Sequence, residues 1–307
     1  MTAEDINSPL RGSARKRIMN RDNPGTTSQA SPDGNRQRAF IISDNCHPNK
    51  DGYDSLMYWG PLEEYYCGSD FVNYGYWREG TPDARAASEG LMEQLLARLP
   101  EKKGTILDVA CGKGATTRHL LRYYPATAVT GINISEKQLE TCRRLAPGCR
   151  FLRMDAVALD FPDSCFDAVI CVEAAFHFNT RQQFFCEALR VLKPGGRLLL
   201  SDILLSREAE GRRRLRTVDN FLADPAAYAA LMERTGFGGV EVEDATVPCF
   251  HGAYWHLIRF SHEKLLRREM DVSSLKNFLK RVVGFVPEIR YYLLASGCKS
   301  EEKGGRL

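Results

Sequence analysis

The chain has 307 residues, enough for one large domain or a domain with an elaborated cap, and its 43% hydrophobic and 26% charged residues are the balance of a globular protein. A formal net charge of +3 is too small to argue for nucleic acid or an anionic membrane as partner. No apolar run approaches the ~20 residues of a membrane helix, and the ten cysteines show neither C-x-x-C pairs nor histidine partners at metal spacing, so no metal is expected.

The opening MTAEDINSPLRGSARKR is polar throughout and has no secretory h-region. The cysteines therefore read as reduced, mostly buried thiols, and the expected compartment is the cytoplasm. Residues 1–45, rich in Ser, Asn, Arg, Gly and Pro, read as a disordered or loosely docked tail. The basic residues between Arg11 and Arg38 have no aromatics interleaved, which favours a solvated tail over a nucleic-acid contact.

Residues 46–100 form a second region of helical and aromatic character. From Tyr53 to Trp77 the stretch YDSLMYWGPLEEYYCGSDFVNYGYW is dense in rings; Tyr58, Trp59 and Tyr65 are expected to pack onto a core. Asp83 to Leu99 has the spacing of an amphipathic helix, with Ala87, Leu91, Leu95 and Leu99 on one face.

Over residues 101–206 strands and helices alternate. GTILDVACGKG is a strand breaking into a glycine turn, and TTRHLLRYY continues as a helix. TAVTGIN, CRFLRMD, FDAVICVE and GRLLLSDIL read as strands, SEKQLETCRRLA and TRQQFFCEALRVL as helices, and LKPGG as a Pro-Gly turn. Such alternation predicts an α/β fold with a doubly wound parallel sheet and ligands at the strands' carboxyl ends. The glycine spacing does not match G-x-G-x-x-G, so a nicotinamide dehydrogenase is disfavoured.

Residues 207–307 lose the rhythm. REAEGRRRLRTV and DPAAYAALMERTG read as helices, VEVEDATV as a short strand, 253–283 as one helical stretch and EIRYYLLASGCK as an alternating strand. The segment CFHGAYWHLIRF, with His251 and His256, is read as packing or as a substrate wall.

The run Asp108-x-Ala110-x-Gly112-x-Gly114 resembles motif I of the class I S-adenosylmethionine (SAM)-dependent methyltransferases. The resemblance covers about residues 70–205 and the terminal strand, and it is nearest to tocopherol/sterol-type and bacterial natural-product small-molecule enzymes. It implies a Rossmann-like sheet of seven strands, mostly parallel with the last antiparallel, plus a helical lid and cap. SAM is the implied cofactor and S-adenosyl-L-homocysteine (SAH) the product.

The cofactor residues it implies are Asp108, Ala110, Gly112 and Gly114, then Asn133, Ile134 and Gln138 after the second strand, and Asp155 and Ala156 after the third. Asn133 departs from the Asp or Glu that usually receives both ribose hydroxyls there. Glu173 and Tyr74 are expected at the cofactor as well. NYGYW resembles the segment that closes over cofactor and substrate, which makes Tyr74 and Tyr76 lid residues. His177, Glu173 and Tyr76 are the catalytic candidates, because a near-neutral histidine or a buried carboxylate suits proton removal.

The acceptor is expected to be a hydrophobic small molecule of specialised metabolism. C-methylation of a prenyl alkene on an indole alkaloid, as in teleocidin-type pathways, is the narrower form. O- or N-methylation of a small phenol or amine stays open, as does a non-catalytic SAM-binding partner protein. Nucleic-acid methyltransferases are disfavoured: no (D/N/S)-P-P-(Y/F) follows the fourth strand, and Pro248-Cys249 lies beyond the sixth. The aromatic N-terminal segment suggests a homo-oligomer.

Overall fold

The computed structural model describes residues 50–212, 220–283 and 288–301, so the expected tail 1–45 lies outside the described residues. Three helices come first: α1 (Lys50–Met57), α2 (Gly60–Tyr65) and α3 (Ala84–Leu96). The alternating unit follows as β1 (Ile106–Val109), α4 (Ala115–Leu120), β2 (Val129–Asn133), α5 (Glu136–Leu145), β3 (Arg150–Arg153), β4 (Phe166–Val172), α6 (Arg181–Val191) and β5 (Leu192–Leu205). The last part contains α7 (Arg207–Gly211), α8 (Pro225–Thr235), β6 (Phe237–Asp244), α9 (Gly252–Leu266), α10 (Val272–Val283) and β7 (Ile289–Lys299).

The seven strands form one sheet in the order β3-β2-β1-β4-β5-β7-β6. The pairs among β1 to β5 are parallel, and β7 runs antiparallel between β5 and β6. The chain winds outward from β1 through β2 to β3, then returns to place β4 on the other side of β1. Such a reversal opens a crevice at the carboxyl ends of β1 and β4, where open α/β sheets bind ligands.

Successive side chains of a strand point to opposite faces, and both faces here are covered. Ile106 packs into a core with α3, α9 and α10, while Leu107 and Val109 pack into a second core under α6 and α8. Asp108 therefore emerges on the Ile106 side, next to α4. This parity puts the carboxylate against the glycine loop.

Four sequence readings need correction. LKPGG belongs to the start of β5, but its register against β4 jumps between Phe166 and Ala168, so the extra residues loop out as a wide bulge. The single helix over 253–283 is two helices: Arg268 takes φ +59°, and Asp271 restarts the chain by accepting from the Ser274 N–H at 2.7 Å. VEVEDATV leaves the strand at Asp244 and winds into a π-type turn at Thr246–His251. β7 is buried without alternation from Tyr292 to Gly297, because it is an inner strand covered on both sides. Of REAEGRRRLRTV only α7 and Arg212 are described; 213–218 lie outside the described residues. Among the described residues no helix is long and apolar enough to cross a membrane.

Candidate active site

The glycine loop is folded by its own neighbours. Asp108 is buried, and its Oδ2 accepts from Thr116 Oγ1 at 2.7 Å and Thr117 Oγ1 at 2.6 Å. Burial pushes its carboxyl up to about 6, and the two hydroxyls oppose that rise. Ala110, Gly112 and Gly114 take φ +57°, +56° and +92°, so the loop turns left-handed. A Cβ on Gly114 would stand 3.0 Å from Cys142 Cα, so only glycine lets the loop lie on α5. Cys111 N donates to Ile132 O at 3.0 Å and ties the loop to β2. Buried Lys113 pairs with Asp70 at 3.0 Å, joining the loop to the aromatic segment.

At the end of β2, Asn133 Nδ2 donates to Gly112 O at 3.2 Å and to Gln138 Oε1 at 2.9 Å. Ser135 caps α5 by accepting from Gln138 N at 3.3 Å. The same hydroxyl donates to the Asp54 carboxylate at 2.8 Å, and Gln138 Nε2 donates to Asp54 Oδ1 at 2.6 Å. Asp54 comes from α1, which sequence reading left without a role. Its only sequence signal was an acidic residue one turn before Tyr58 and Trp59. Ile134 is half-buried and lends its carbonyl to Arg153 Nε at 3.2 Å. After β3, Asp155 Oδ1 accepts from Val157 N at 3.1 Å in an Asx turn, with Ala156 buried beneath.

At the end of β4, Glu173 takes φ +50° and its N–H donates to Ser201 O at 3.0 Å and to Ser201 Oγ at 3.1 Å. Its Oε1 accepts from the Tyr74 N–H and the Tyr292 hydroxyl, both at 2.6 Å. Desolvation raises the carboxyl to about 8; the two hydrogen bonds oppose that rise. The residue as a whole is half-buried. The Tyr74 ring meets Phe250 edge-on at 5.4 Å and Tyr292 at 6.1 Å. Trp77 Nε1 donates to Tyr74 O at 2.8 Å, and Trp77 stacks on His256 at 4.3 Å. Gly75 takes φ +72°, and a Cβ there would stand 2.6 Å from Ala87 Cβ, so NYGYW lies flat on α3.

Tyr76 packs against the same core as Tyr74 and Trp77. Tyr76 N donates to Ala87 O at 2.8 Å, and the Arg78 guanidinium lies 5.3 Å over the Tyr76 ring. His177 is exposed at the end of a 3₁₀ turn, Ala175–His177, with its ring 3.9 Å from that of Phe176. A buried ion pair carries that turn: Asp202 Oδ1 accepts from Phe176 N at 2.9 Å while Oδ2 binds Arg181 Nε at 2.6 Å. Tyr228 OH adds a third donor at 3.0 Å. Neither Tyr292 nor the Asp202–Arg181 pair was visible as a site feature in the sequence.

SAM carries an α-ammonium, a sulfonium and a ribose diol, all of which seek acceptors or negative charge. The acceptor set fits: Asp108, Asp155 and Glu173 stand at or just after the ends of β1, β3 and β4, and Asp54 stands over the end of β2.

A family model described as a methyltransferase domain matches residues 107–200. A methyltransferase of Streptomyces halstedii, GfsG, is 35% identical over 201 residues, 58% of this chain and 69% of that protein. The chain belongs to the class I SAM-dependent methyltransferases. Its methyl donor is SAM. The 27-O-demethylrifamycin SV methyltransferase of Amycolatopsis mediterranei is 37% identical over 145 residues, 44% of this methyltransferase and 52% of that protein. Solved structures share the fold: the [4+2]-cyclase SpnF superposes with a TM-score of 0.62 at 23% identity, covering 83% of this chain and 97% of that one. The geranyl diphosphate C-methyltransferase of Streptomyces coelicolor gives 0.57 at 16% identity, covering 82% and 98%. The expectation of an enzyme thus holds over that of a non-catalytic SAM-binding partner.

Proposed function

We propose that this methyltransferase acts on a hydrophobic small molecule of specialised metabolism, with Glu173 as the proton-accepting group. The observation that carries the reading is the Glu173 carboxyl, raised to about 8 and fastened to lid and sheet by Tyr74 and Tyr292 amid aromatic rings. The names of the relatives agree with it. One acts on a demethylrifamycin, and a Synechocystis relative, 45% identical over 101 residues (32% of this chain, 31% of that protein), is a 2-methyl-6-phytyl-1,4-hydroquinone methyltransferase.

SAM supplies a methyl group activated by its sulfonium. The chain has to align the acceptor, exclude water and take up the proton that leaves. The glycine loop, Asn133, Ile134, Gln138, Asp155 and Ala156 hold the cofactor in this reading, and Asp108 keeps the loop in shape. Tyr74 and Tyr76 close the lid.

In the narrower form the acceptor carbon is a prenyl alkene, as on an indole alkaloid. Its π pair forms the new C–C bond, and the neighbouring cation is steadied by the faces of Tyr74, Phe250 and Tyr292. Glu173 then takes the proton that restores the alkene. A base whose pKa lies near the working pH suits that step.

O-methylation is the second reading. It is favoured by His177 standing on a turn anchored by Asp202, and by the 27-O position in the name of the Amycolatopsis relative. We place the protein in the cytoplasm as a homo-oligomer, the latter on exposed Trp255 (67%) and Val247 (69%) beside the cap.

The test is transfer of labelled methyl from SAM into a metabolite extract, followed by fragmentation of the product. Label on carbon, lost in Glu173→Gln and kept in His177→Ala, is the expected result. Label on oxygen with the opposite dependence would replace the first reading by the second.

A further inference from the structure

The polar groups at the carboxyl end of β2 differ in what they still have to offer a ligand. Asn133 Nδ2 is engaged by Gly112 O and Gln138 Oε1, and Asn133 Oδ1 accepts from the Ser135 N–H at 3.3 Å. Gln138 Oε1 is taken by Asn133, and Ser135 Oγ accepts from Gln138 N. Each neutral side-chain acceptor of this loop already has one donor, which leaves it a single uncharged lone pair for a ligand.

A ribose brings two adjacent hydroxyls, and a carboxylate with about four acceptor positions on two oxygens receives such a pair best. Asp54 is the carboxylate at this place. It is 9% exposed, and this loop supplies it with two donors, Ser135 Oγ and Gln138 Nε2. That leaves acceptor positions for two more. The same helix sets Met57 Cε 3.2 Å from where a Cβ of Gly112 would be, so α1 lies over the glycine loop as well.

We propose that Asp54 is the carboxylate that receives the ribose hydroxyls of SAM, supplied from α1 in place of the acidic side chain missing at Asn133. Asn133 and Gln138 act as a brace that orients Asp54. Cofactor binding is then coupled to the docking of α1, because the helix and the ribose share one carboxylate. The proposal rests on the ribose lying at the end of β2, the place read for Asn133 and Gln138.

The experiment is calorimetric binding of SAH and of its 2′,3′-dideoxy analogue to the wild-type chain, Asp54→Asn, Asp54→Ala and Gln138→Ala, with the unfolding temperature of each recorded. The wild type is expected to prefer SAH. Asp54→Asn should weaken SAH about 10- to 100-fold, the range for lost hydrogen bonds to a charged group, and leave the analogue little changed. Equal losses on both ligands would make Asp54 a strut for α1 and overturn the proposal. Unchanged SAH affinity would overturn it too. If Gln138→Ala discriminates between the ligands while Asp54→Asn does not, the ribose is read at the β2 end without Asp54. A wild type that binds both alike would remove the ribose from the β2 end, and the proposal with it.

Discussion

The ends of β1 and β4 lie side by side in the sheet, and each carries a carboxyl raised by burial, yet they are built from opposite materials. Asp108 is satisfied by Thr116 and Thr117, eight and nine residues along the chain. Glu173 is satisfied by Tyr74 and Tyr292, 99 and 119 residues away. The first arrangement forms as soon as the glycine loop meets its helix. The second exists only when the NYGYW segment and the last strand have both docked. The β1 end is therefore a local device that shapes a loop, and the β4 end is a junction of distant segments.

The largest expected effect comes from below the β4 end. Asp202→Ala strands the buried Arg181 guanidinium, and losing one partner of a buried pair costs about 3–5 kcal/mol. Denaturant unfolding should show it, and a loss within the error of the measurement would mean that the pair does not support the His177 turn.

Glu173→Gln comes next. Removal of a general base lowers turnover about 10²- to 10⁴-fold, with SAH affinity nearly unchanged. A normal turnover would reduce Glu173 to a fastening for the lid. Asp108→Ala leaves two hydroxyls without their acceptor and should cost about 1–3 kcal/mol, together with loss of SAM binding. Asp108→Asn keeps an acceptor and should recover most of the stability. Retained SAM affinity in the alanine variant would uncouple Asp108 from the loop's shape.

The remaining effects are in pH. Both carboxyls titrate higher in the fold, about 6 for Asp108 and about 8 for Glu173, than the 3.8 and 4.5 of the free groups. The folded chain therefore holds more protons than the unfolded one between those values. Their contribution to stability is full below about 3.8–4.5 and falls as pH rises through about 6 and then 8. Turnover that depends on Glu173 as base runs the other way, rising with pH through about 8. Tyr292→Phe removes a hydrogen bond that holds the carboxylate down, so the midpoint of that profile should move upward. A midpoint that stays in place would show that the Tyr292 hydroxyl does not tune Glu173.

Much of the sheet was readable because its strands announce themselves by apolar runs and its helices by the spacing of the segments between them. The misread stretch over 253–283 had its own signal: Asp271, with Ser273 and Ser274 two and three residues on, is a helix start, outweighed by the apolar residues on either side. β7 gave no warning that it would be buried on both faces, since that follows from its place between β5 and β6. Glu173 and His177 are close neighbours in the sequence, but one is drawn under the lid and the other stands exposed on a turn.

The sequence by itself determined the β1–loop–α4 unit and the alternation of strands and helices from β1 to β5, because spacing, parity and turn chemistry act over a few residues; the likeness of the glycine loop to motif I pointed to the family. Only the tertiary structure decided which distant groups answer the buried carboxyls. Asp54 reaches Ser135 and Gln138 across more than eighty residues, and Tyr292 reaches Glu173 from the last strand. The physical reason is desolvation: a carboxyl taken from water must find donors wherever the fold brings them, and chain spacing carries no record of which crossings will do so.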